Sequence, residues 1–549
     1  MSLSLSEKTE RRWVFGISFL LGAVIFIMIY GPHVLDPFCD DWIMAAADRD
    51  LAQHYLGFCL YRSSPWQFPL GLITTASYPH DMSVIYTDSI PLLAFLFKLI
   101  SHLLPQIFQY LGIYGMISMA LMGGMGGLLI HRLTHRADIA VIASILYTLS
   151  WTVQFRMFYH TSLTSQWLIL IAIYLWLTVE PSEHMGRNLT KYALLSGAAI
   201  LIHPYIWAMC AGITLMSQAE YLIKSRDIKK VLAYTGTFIV TGILLLYIFG
   251  GFAGDTKANL GVGTYEANLN SLYNSMELAY MPGFPVALAQ YEGFAYLGAG
   301  VFFLLICAAG ILLVERKLPH MGMRRVMLTI TAALFFIFSL LPEISLNDRV
   351  LLDLDLGRVY RAFAGIFRSN GRFIWPVWIL IVSAAVVYVT RKARKKTLMI
   401  LMILVLLIQI VDMIPFIRKS HSTYATAGHE YTDPYETDSG MERLAEGREH
   451  IVMDLGNDVG LDQSQAVSYY AYKHGMTTND FYYARPIGDK VNGTREELMA
   501  DMREGRYDDS LLYVLGEDTL PLYRDFDLNI YEVAGKYVAL HEKNGTNAE

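Results

Sequence analysis

Charge is scarce in this chain. Of its 549 residues only 17% are Asp, Glu, Lys or Arg, while 54% are hydrophobic. Apolar runs of membrane length recur, which excludes an ordinary soluble globule and implies a polytopic α-helical membrane protein. Cysteine is scarce as well, and four residues are too few for a disulfide scaffold. Cys39 and Cys59 share one polar stretch, where a bridge or two separate thiols both fit; Cys210 and Cys307 lie in apolar runs and read as core. No global basic patch exists, so nucleic acid is excluded as a partner. Neither a nucleotide-binding glycine signature nor an internal repeat is present. No Ala-x-Ala-like site follows the first apolar run, Trp13 to Tyr30, so this run reads as a retained anchor rather than a cleaved leader.

What is present is strongly ordered along the chain. Candidate spans fall at 13–31, 107–131, 137–156, 163–180, 190–203, 205–223, 230–252, 293–315, 323–342, 372–391 and 397–413, about eleven in all. With these spans every basic cluster lies on one side: Arg11-Arg12, Arg132 with Arg136, Arg187 with Lys191, Lys224 to Lys230, Arg316-Lys317, Arg324-Arg325 and Arg391 to Lys396. The positive-inside rule makes that side cytoplasmic, which predicts a cell-membrane protein with its start inside and its end outside. Ser89 to Leu104 is apolar but carries Lys98 and His102 and stops at Pro105. A span there would invert every later loop, so it is read as an interfacial helix, with a twelfth span as the competing reading.

The predicted domains are a transmembrane part over 1–415 and an extracytoplasmic α/β part over 416–549. In the tail, His450 to Leu455, Leu511 to Leu515, Asn529 to Val533 and Tyr537 to His541 read as strands. Ser464 to His474 and Thr494 to Arg503 read as helices, and Gly535-Lys536 as a hairpin turn. Long outer loops cover 31–105 and 253–292, with a shorter outer piece from Pro342 to Gly371. Polar loops of such length tend to be functional.

The loop after the first span concentrates chemistry. Asp36, Asp40, Asp41, Asp48, Asp50, His54, Arg62, Trp66, Tyr86 and Asp88 sit among aromatics. Outside a membrane a glycosyl donor must be lipid-carried, typically on a polyprenyl phosphate. Single displacement from it needs a carboxylate to take the acceptor proton and cations where phosphate charge develops. Asp50 or Asp41 can be that base. His54, four residues after Asp50, shares its helix face and can orient it, bind substrate or make a structural bond. Arg62, Lys98, Arg368 and Arg372 are the outer-face cations, and an Arg fork suits phosphate. Tyr86, Asp88, Trp66, Tyr291, Glu292, His160 and His203 are candidates for substrate contact. Each also has a bland reading: Asp50 or Asp88 as helix caps, Trp66 as an interfacial anchor, the histidines as interhelical hydrogen bonds, the arginines as snorkelling groups. The acidic set is compatible with a divalent cation without demanding one, so any metal ligand is left unassigned.

Several stretches carry a family resemblance: Asp50-Leu-Ala-Gln-His-Tyr-Leu-Gly57, Ser64-Pro-Trp-Gln-Phe-Pro-Leu-Gly71, Tyr86-Thr-Asp-Ser-Ile-Pro91, Gln290-Tyr-Glu-Gly-Phe294 and Arg368-Ser-Asn-Gly-Arg-Phe373. They resemble an uncharacterised family of bacterial membrane proteins of the GT-C glycosyltransferase type. The layout also resembles that superfamily as a whole, in which an acid in the first outer loop is catalytic and interfacial helices precede the second span. The resemblance implies transfer of a sugar from a polyprenyl-phosphate donor to a glycan, lipid or protein acceptor of the cell envelope. It departs from the Asp-Glu pair of the mannosyltransferases, because Leu51 follows Asp50; Asp41 or Asp40 therefore stays a rival base. A ligase or polymerase of lipid-linked polysaccharide would share the donor. A flippase or transporter is the third reading, disfavoured because the ionisable residues gather at the outer face rather than at midplane.

Overall fold

The computed structural model describes residues 5–45, 49–253, 263–287, 289–316, 320–425, 431–454, 461–479, 481–484 and 488–542. Among them, nine helices are long and apolar enough to cross a membrane, from Glu7–Tyr30 to Lys395–Tyr424. All eleven stretches expected as spans are helical. Two fall short of the nine. Ala299–Glu315 has 17 residues, and Met185–Ile202 opens with Arg187, Asn188 and Lys191, which dilute its apolar character. The interfacial stretch is a nine-residue helix, Pro91–Leu99. At about 1.5 Å per residue it reaches less than half of a ~30 Å hydrocarbon core. The last apolar helix runs eleven residues past the expected end of its span, through Pro415 to Tyr424.

The chain divides into two compact units. The first comprises 1–36, 110–243 and 257–427 and holds most of the apolar helices. Its central packing is backbone-close. On Leu111–Thr134, Gly123 and Gly127 are spaced like a small-xxx-small motif. A side chain at Gly123 would meet the Ser18 carbonyl of helix Leu5–Tyr30 at 2.7 Å.

The second unit comprises 37–109, 244–256 and 428–549. The first polar loop and the tail therefore fold together. The tail is a five-stranded sheet in the order Thr477–Thr478, His450–Asp454, Leu511–Leu515, Lys536–Leu540, Asn529–Val533. The first three strands are parallel and the last two form an antiparallel hairpin. Alternate residues feed two cores. Ile451, Met453, Leu512 and Val514 pack with Val467 and Tyr470 of helix Leu461–Lys473, whereas Val452, Leu511, Tyr513 and Leu515 pack with Met502 and Tyr523. A sheet covered on both faces explains why these strands read as continuous apolar runs. The hairpin turn sits one residue earlier than its glycine suggests: Ala534 and Gly535 take φ of +52° and +69°, the doubly left-handed turn that suits the twist of paired strands.

Candidate functional site

The sequence candidates separate into two groups, one in each unit. In the helical unit Arg156, Glu292 and Arg372 converge, although they lie 136 and 80 residues apart in pairs with Glu292. Arg156 follows the short helix Trp151–Gln154. Glu292 sits on the 3-10 turn Gln290–Gly293 and Arg372 on the turn Asn370–Ile374, just ahead of helix Trp375–Lys392. Arg372 grips the carboxylate with both arms of its fork, Nε to Oε2 at 2.7 Å and Nη2 to Oε1 at 3.1 Å. Arg156 Nη2 donates to Oε2 at 2.7 Å and to the Glu292 carbonyl at 3.1 Å. All three residues are buried. The Arg372 guanidinium stacks 4.8 Å from the Tyr205 ring centre and Arg156 lies 5.7 Å from that of Trp375.

Charge bookkeeping at this centre favours anions. Two guanidinium groups meet one carboxylate, which leaves one positive charge in excess. Burial alone would raise the Glu292 pKa, but the two arginines override it and hold the carboxyl well below the usual carboxylate range. His160 Nδ1 is 3.4 Å from Arg156 Nη1, and Tyr291 is half-buried on the same turn as Glu292. Arg368 is half-buried with its guanidinium 5.7 Å from the Tyr265 ring centre. His203 does something simpler: its Nδ1 accepts from the Tyr205 N–H at 3.1 Å and caps helix Pro204–Ser225.

Three segments cross tightly beside this centre, and glycine makes the crossing feasible. A Cβ on Gly371 would lie 2.6 Å from the Tyr265 carbonyl and 2.8 Å from Glu266 backbone. Gly293 is pressed as closely against Ala267. Glu266 itself was not picked out by sequence. It is 1% exposed; Oε1 accepts from the Gly263 N–H at 2.7 Å, while Oε2 has no hydrogen-bond partner among the described residues. Burial, aided by Glu343, raises its pKa to about 7. Gly263 and Glu343 also line a cavity of about 850 Å³ with Asp353, Arg358, Tyr360 and Arg361.

In the second unit, Asp50 lies in the first turn of helix Arg49–Ser63 and is half-buried. It is inside the helix rather than capping it, where its charge favours the N-terminal end of the helix dipole. His54, fully buried, has Nε2 3.8 Å from Asp88 Oδ2. Asp88 takes φ of +54° and ends the turn Val84–Thr87. It does not cap helix Pro91–Leu99, whose N-cap is Ile90. Asp41 is on the short helix Asp41–Met44, with Oδ1 accepting from the Tyr431 N–H at 3.4 Å. Its neighbour Asp40 is the more buried acid. It accepts from the Tyr469 hydroxyl at 2.8 Å, and the Tyr55 phenol lies near it. Burial raises the Asp40 pKa, and these phenols only partly offset it.

The two cations expected here are occupied by the fold. Arg62 donates to Ser101 Oγ and to the carbonyls of Ser101, Leu104, Pro105 and Gln106, between 2.9 and 3.3 Å. That engages its fork with the chain just after helix Pro91–Leu99. Lys98 is buried with Nζ 4.1 and 4.8 Å from the ring centres of Tyr61 and Trp66. Burial lowers its pKa to about 8. Trp66 is half-exposed and holds Lys98 by cation–π contact. The Tyr86 hydroxyl donates to the Gly251 carbonyl. Cys39 and Cys59 are not joined: Cys59 is a buried thiol and Cys39 Sγ approaches Asp41 Oδ2 at 4.0 Å. Asp48 lies outside the described residues. Among the described residues no group of three His, Cys, Asp or Glu side chains is placed to hold a metal ion.

Sequence reasoning found Glu292, His160 and Arg372 but missed Arg156 as their partner. An arginine at the edge of a span, inside Phe155-Arg-Met-Phe158, was the available signal.

Comparison with known proteins adds the following. Residues 19–414 match the family described as "Domain of unknown function (DUF6311)", and residues 441–540 match "DUF6311 C-terminal domain". No curated protein matches. Among solved structures, the chain is similar to an Archaeoglobus fulgidus oligosaccharyltransferase tethered with an acceptor peptide, at 11% identity, covering 97% of this chain and 74% of that one with a TM-score of 0.44. The archaeal enzyme in complex with an inhibitory peptide and a dolichol-phosphate gives 12%, 97%, 74% and 0.42. Its complex with Zn and sulfate gives 12%, 95%, 73% and 0.38.

Proposed function

The chain belongs to the DUF6311 family, and on that premise we propose that it transfers a sugar from a polyprenyl-phosphate donor to an envelope acceptor at the outer face of the cell membrane. The observation that carries this reading is the buried Arg156–Glu292–Arg372 centre. A surplus positive charge among aromatic rings in the helical unit is matched by a lipid-borne phosphate, which brings one or two negative charges on an apolar tail. Oxygen charge that grows as the glycosyl bond breaks is stabilised by guanidinium groups already held in place. The motifs that resemble the GT-C superfamily and the long polar loops support the same reading.

Two roles are assigned, each within its own unit. Arg372, Arg156 and Arg368 bind donor phosphate, with Glu292 holding the first two in position and His160 and Tyr291 beside them. Asp50 takes the acceptor proton; His54 and Asp88 shape its helix, and Asp41 is the rival base. The displacement is single: the acceptor oxygen bonds to the anomeric carbon, the lipid phosphate leaves with the bond electrons, and the proton goes to the carboxylate. The N-terminus is assigned to the cytoplasm and the tail to the outside, from the one-sided basic clusters.

The test uses protein in nanodiscs with a radiolabelled polyprenyl-phosphate sugar, following donor binding and donor consumption separately. Asp50→Asn is expected to slow consumption by about 10²–10⁴-fold and to leave binding unchanged. Asp41→Asn is the required comparison and moves the base if it alone abolishes turnover. Arg372→Lys keeps charge but loses the fork, so binding should weaken. Full turnover by both Asp variants in folded protein would remove both carboxylates as the base, and no donor consumption by the unmodified protein would end the transferase reading. The orientation is checked by labelling Asp525→Cys from outside intact cells; labelling only after permeabilisation would refute it.

A further inference from the structure

Between the span ending at Leu340 and the one opening at Asn370 the chain builds a small amphipathic strap. It consists of a two-stranded hairpin, Glu343–Leu346 with Arg349–Asp353, and the helix Gly357–Ile366. Its base is pinned to the span ends. The Tyr360 hydroxyl donates to the Leu341 carbonyl at 2.8 Å, and Asn370 Nδ2 donates to the carbonyls of Phe338 at 3.0 Å and Leu341.

The strap gathers its charged side chains toward a cavity and turns its most exposed apolar ones away from it. Glu343, Asp353, Asp355, Arg358, Tyr360 and Arg361 line the 850 Å³ cavity. Away from it, Val350, Leu351 and Leu352 are each more than half exposed, Val359 is 86% exposed and Ile366 50%. Val359 and Ile366 lie seven residues apart on one helix face, which Arg358 flanks. In water such a hairpin is unfavourable twice over. Two isolated strands are marginal at best, and an exposed Val-Leu-Leu edge invites pairing with another chain.

We propose that this strap lies in the headgroup–acyl boundary of the adjoining lipid leaflet, with Val350 to Leu352, Val359 and Ile366 buried among acyl chains and Arg358 and Arg361 at headgroup level. Its two ends are continuous with helices that span the bilayer, so the boundary is where its length must be accommodated. Apolar stripes flanked by arginine are the pattern of helices that lie in that plane, the long cationic side chains reaching back to the phosphates. The occupant of the apolar face is thus lipid rather than protein. The inference stands independently of the transferase reading.

The experiment uses full-length chain in nanodiscs of anionic and zwitterionic lipid. Nitroxide labels go at Val359→Cys and Leu352→Cys, with Cys39 and Cys307 changed to Ser. A label at Arg361→Cys is the polar reference. Oxygen should relax the first two labels several-fold more effectively than a water-soluble nickel chelate, and the reference label should favour the chelate. Chelate-accessible labels at Val359 and Leu352 would overturn the proposal. Close spin–spin coupling between two copies would overturn it in favour of self-association. Unmodified protein supplies a second reading: acyl-chain diazirine lipids should crosslink peptides covering 349–366, and their absence from the crosslinked set would also refute it.

Discussion

Two buried acids, one in each unit, behave in opposite ways. Glu292 and Asp40 are each about 3% exposed, so desolvation acts against the charged form of both. Glu292 nevertheless stays strongly acidic, because its neighbours are Arg156 and Arg372. Asp40 becomes a weaker acid, because its neighbours are the hydroxyls of Tyr55 and Tyr469. Burial sets the stakes and the charge of the partner decides the outcome. A phenol can donate a hydrogen bond but cannot neutralise a carboxylate. The helical unit thus keeps a permanent ion centre, whereas the loop-and-tail unit keeps a carboxyl that takes up a proton readily.

The comparison breaks most sharply at Glu292. Removing one partner from a buried ion network strands the others, at a cost of about 3–5 kcal/mol. Glu292→Gln should therefore lower the thermal unfolding midpoint strongly, while Asp40→Asn, which can still accept from Tyr469, should shift stability by under about 1 kcal/mol. Equal effects would show that partner charge is not the deciding quantity. The two acids should also give opposite pH slopes. Glu292 stays ionised in the fold while the unfolded chain takes up a proton, so its contribution is lost as pH falls below about 4.5. Asp40 holds its proton longer in the fold, so its cost is absent in acid and grows as pH rises through its folded pKa.

Glu266 sharpens the contrast within the helical unit, since its neighbour is another carboxylate. With a folded pKa of about 7 against 4.5, its burial costs nothing in acid and reaches on the order of 3 kcal/mol above neutral pH. Glu266→Gln should stabilise the protein at pH 8 and leave it unchanged at pH 4, as read from denaturation curves at the two pH values. Destabilisation at both would place its carboxylate in a bond that the fold needs. A smaller effect than at Glu292 is expected at Tyr469→Phe. It removes the phenol that donates to Asp40, costs about 1–2 kcal/mol, and pushes the Asp40 pKa higher still, which a carboxyl-sensitive infrared titration can follow.

How much of this was readable in sequence follows from the range of each interaction. The helices and tail strands came from local periodicity, and His450–Asp454 and Leu511–Leu515 match their expected limits to within one residue. The expected span at 190–203 is the apolar half of Met185–Ile202, whose polar start the local pattern left out. Glu292, Arg372 and His160 were visible as ionisable residues near span ends. Their convergence was not, because it depends on turns 80 and 136 residues apart. The partners of Arg62 were hidden for a related reason. An exposed-looking fork carries no sign that five acceptors some forty residues later will fill it.

The contact between Asp40 and Tyr469 spans 429 residues, and that distance is also an interval of time. At about 5–20 residues per second of synthesis, the first polar loop exists for roughly 20–90 s before the helix that supplies Tyr469 has been made. Throughout that interval Asp40 lacks its phenol donor and helix Arg49–Ser63 lacks the later helix Leu461–Lys473 that packs on it. The polar segment translated first is among the last to be completed. A chain stopped before residue 461 would therefore present an unfinished loop to the quality-control proteases on its side of the membrane, even with every apolar helix already in place.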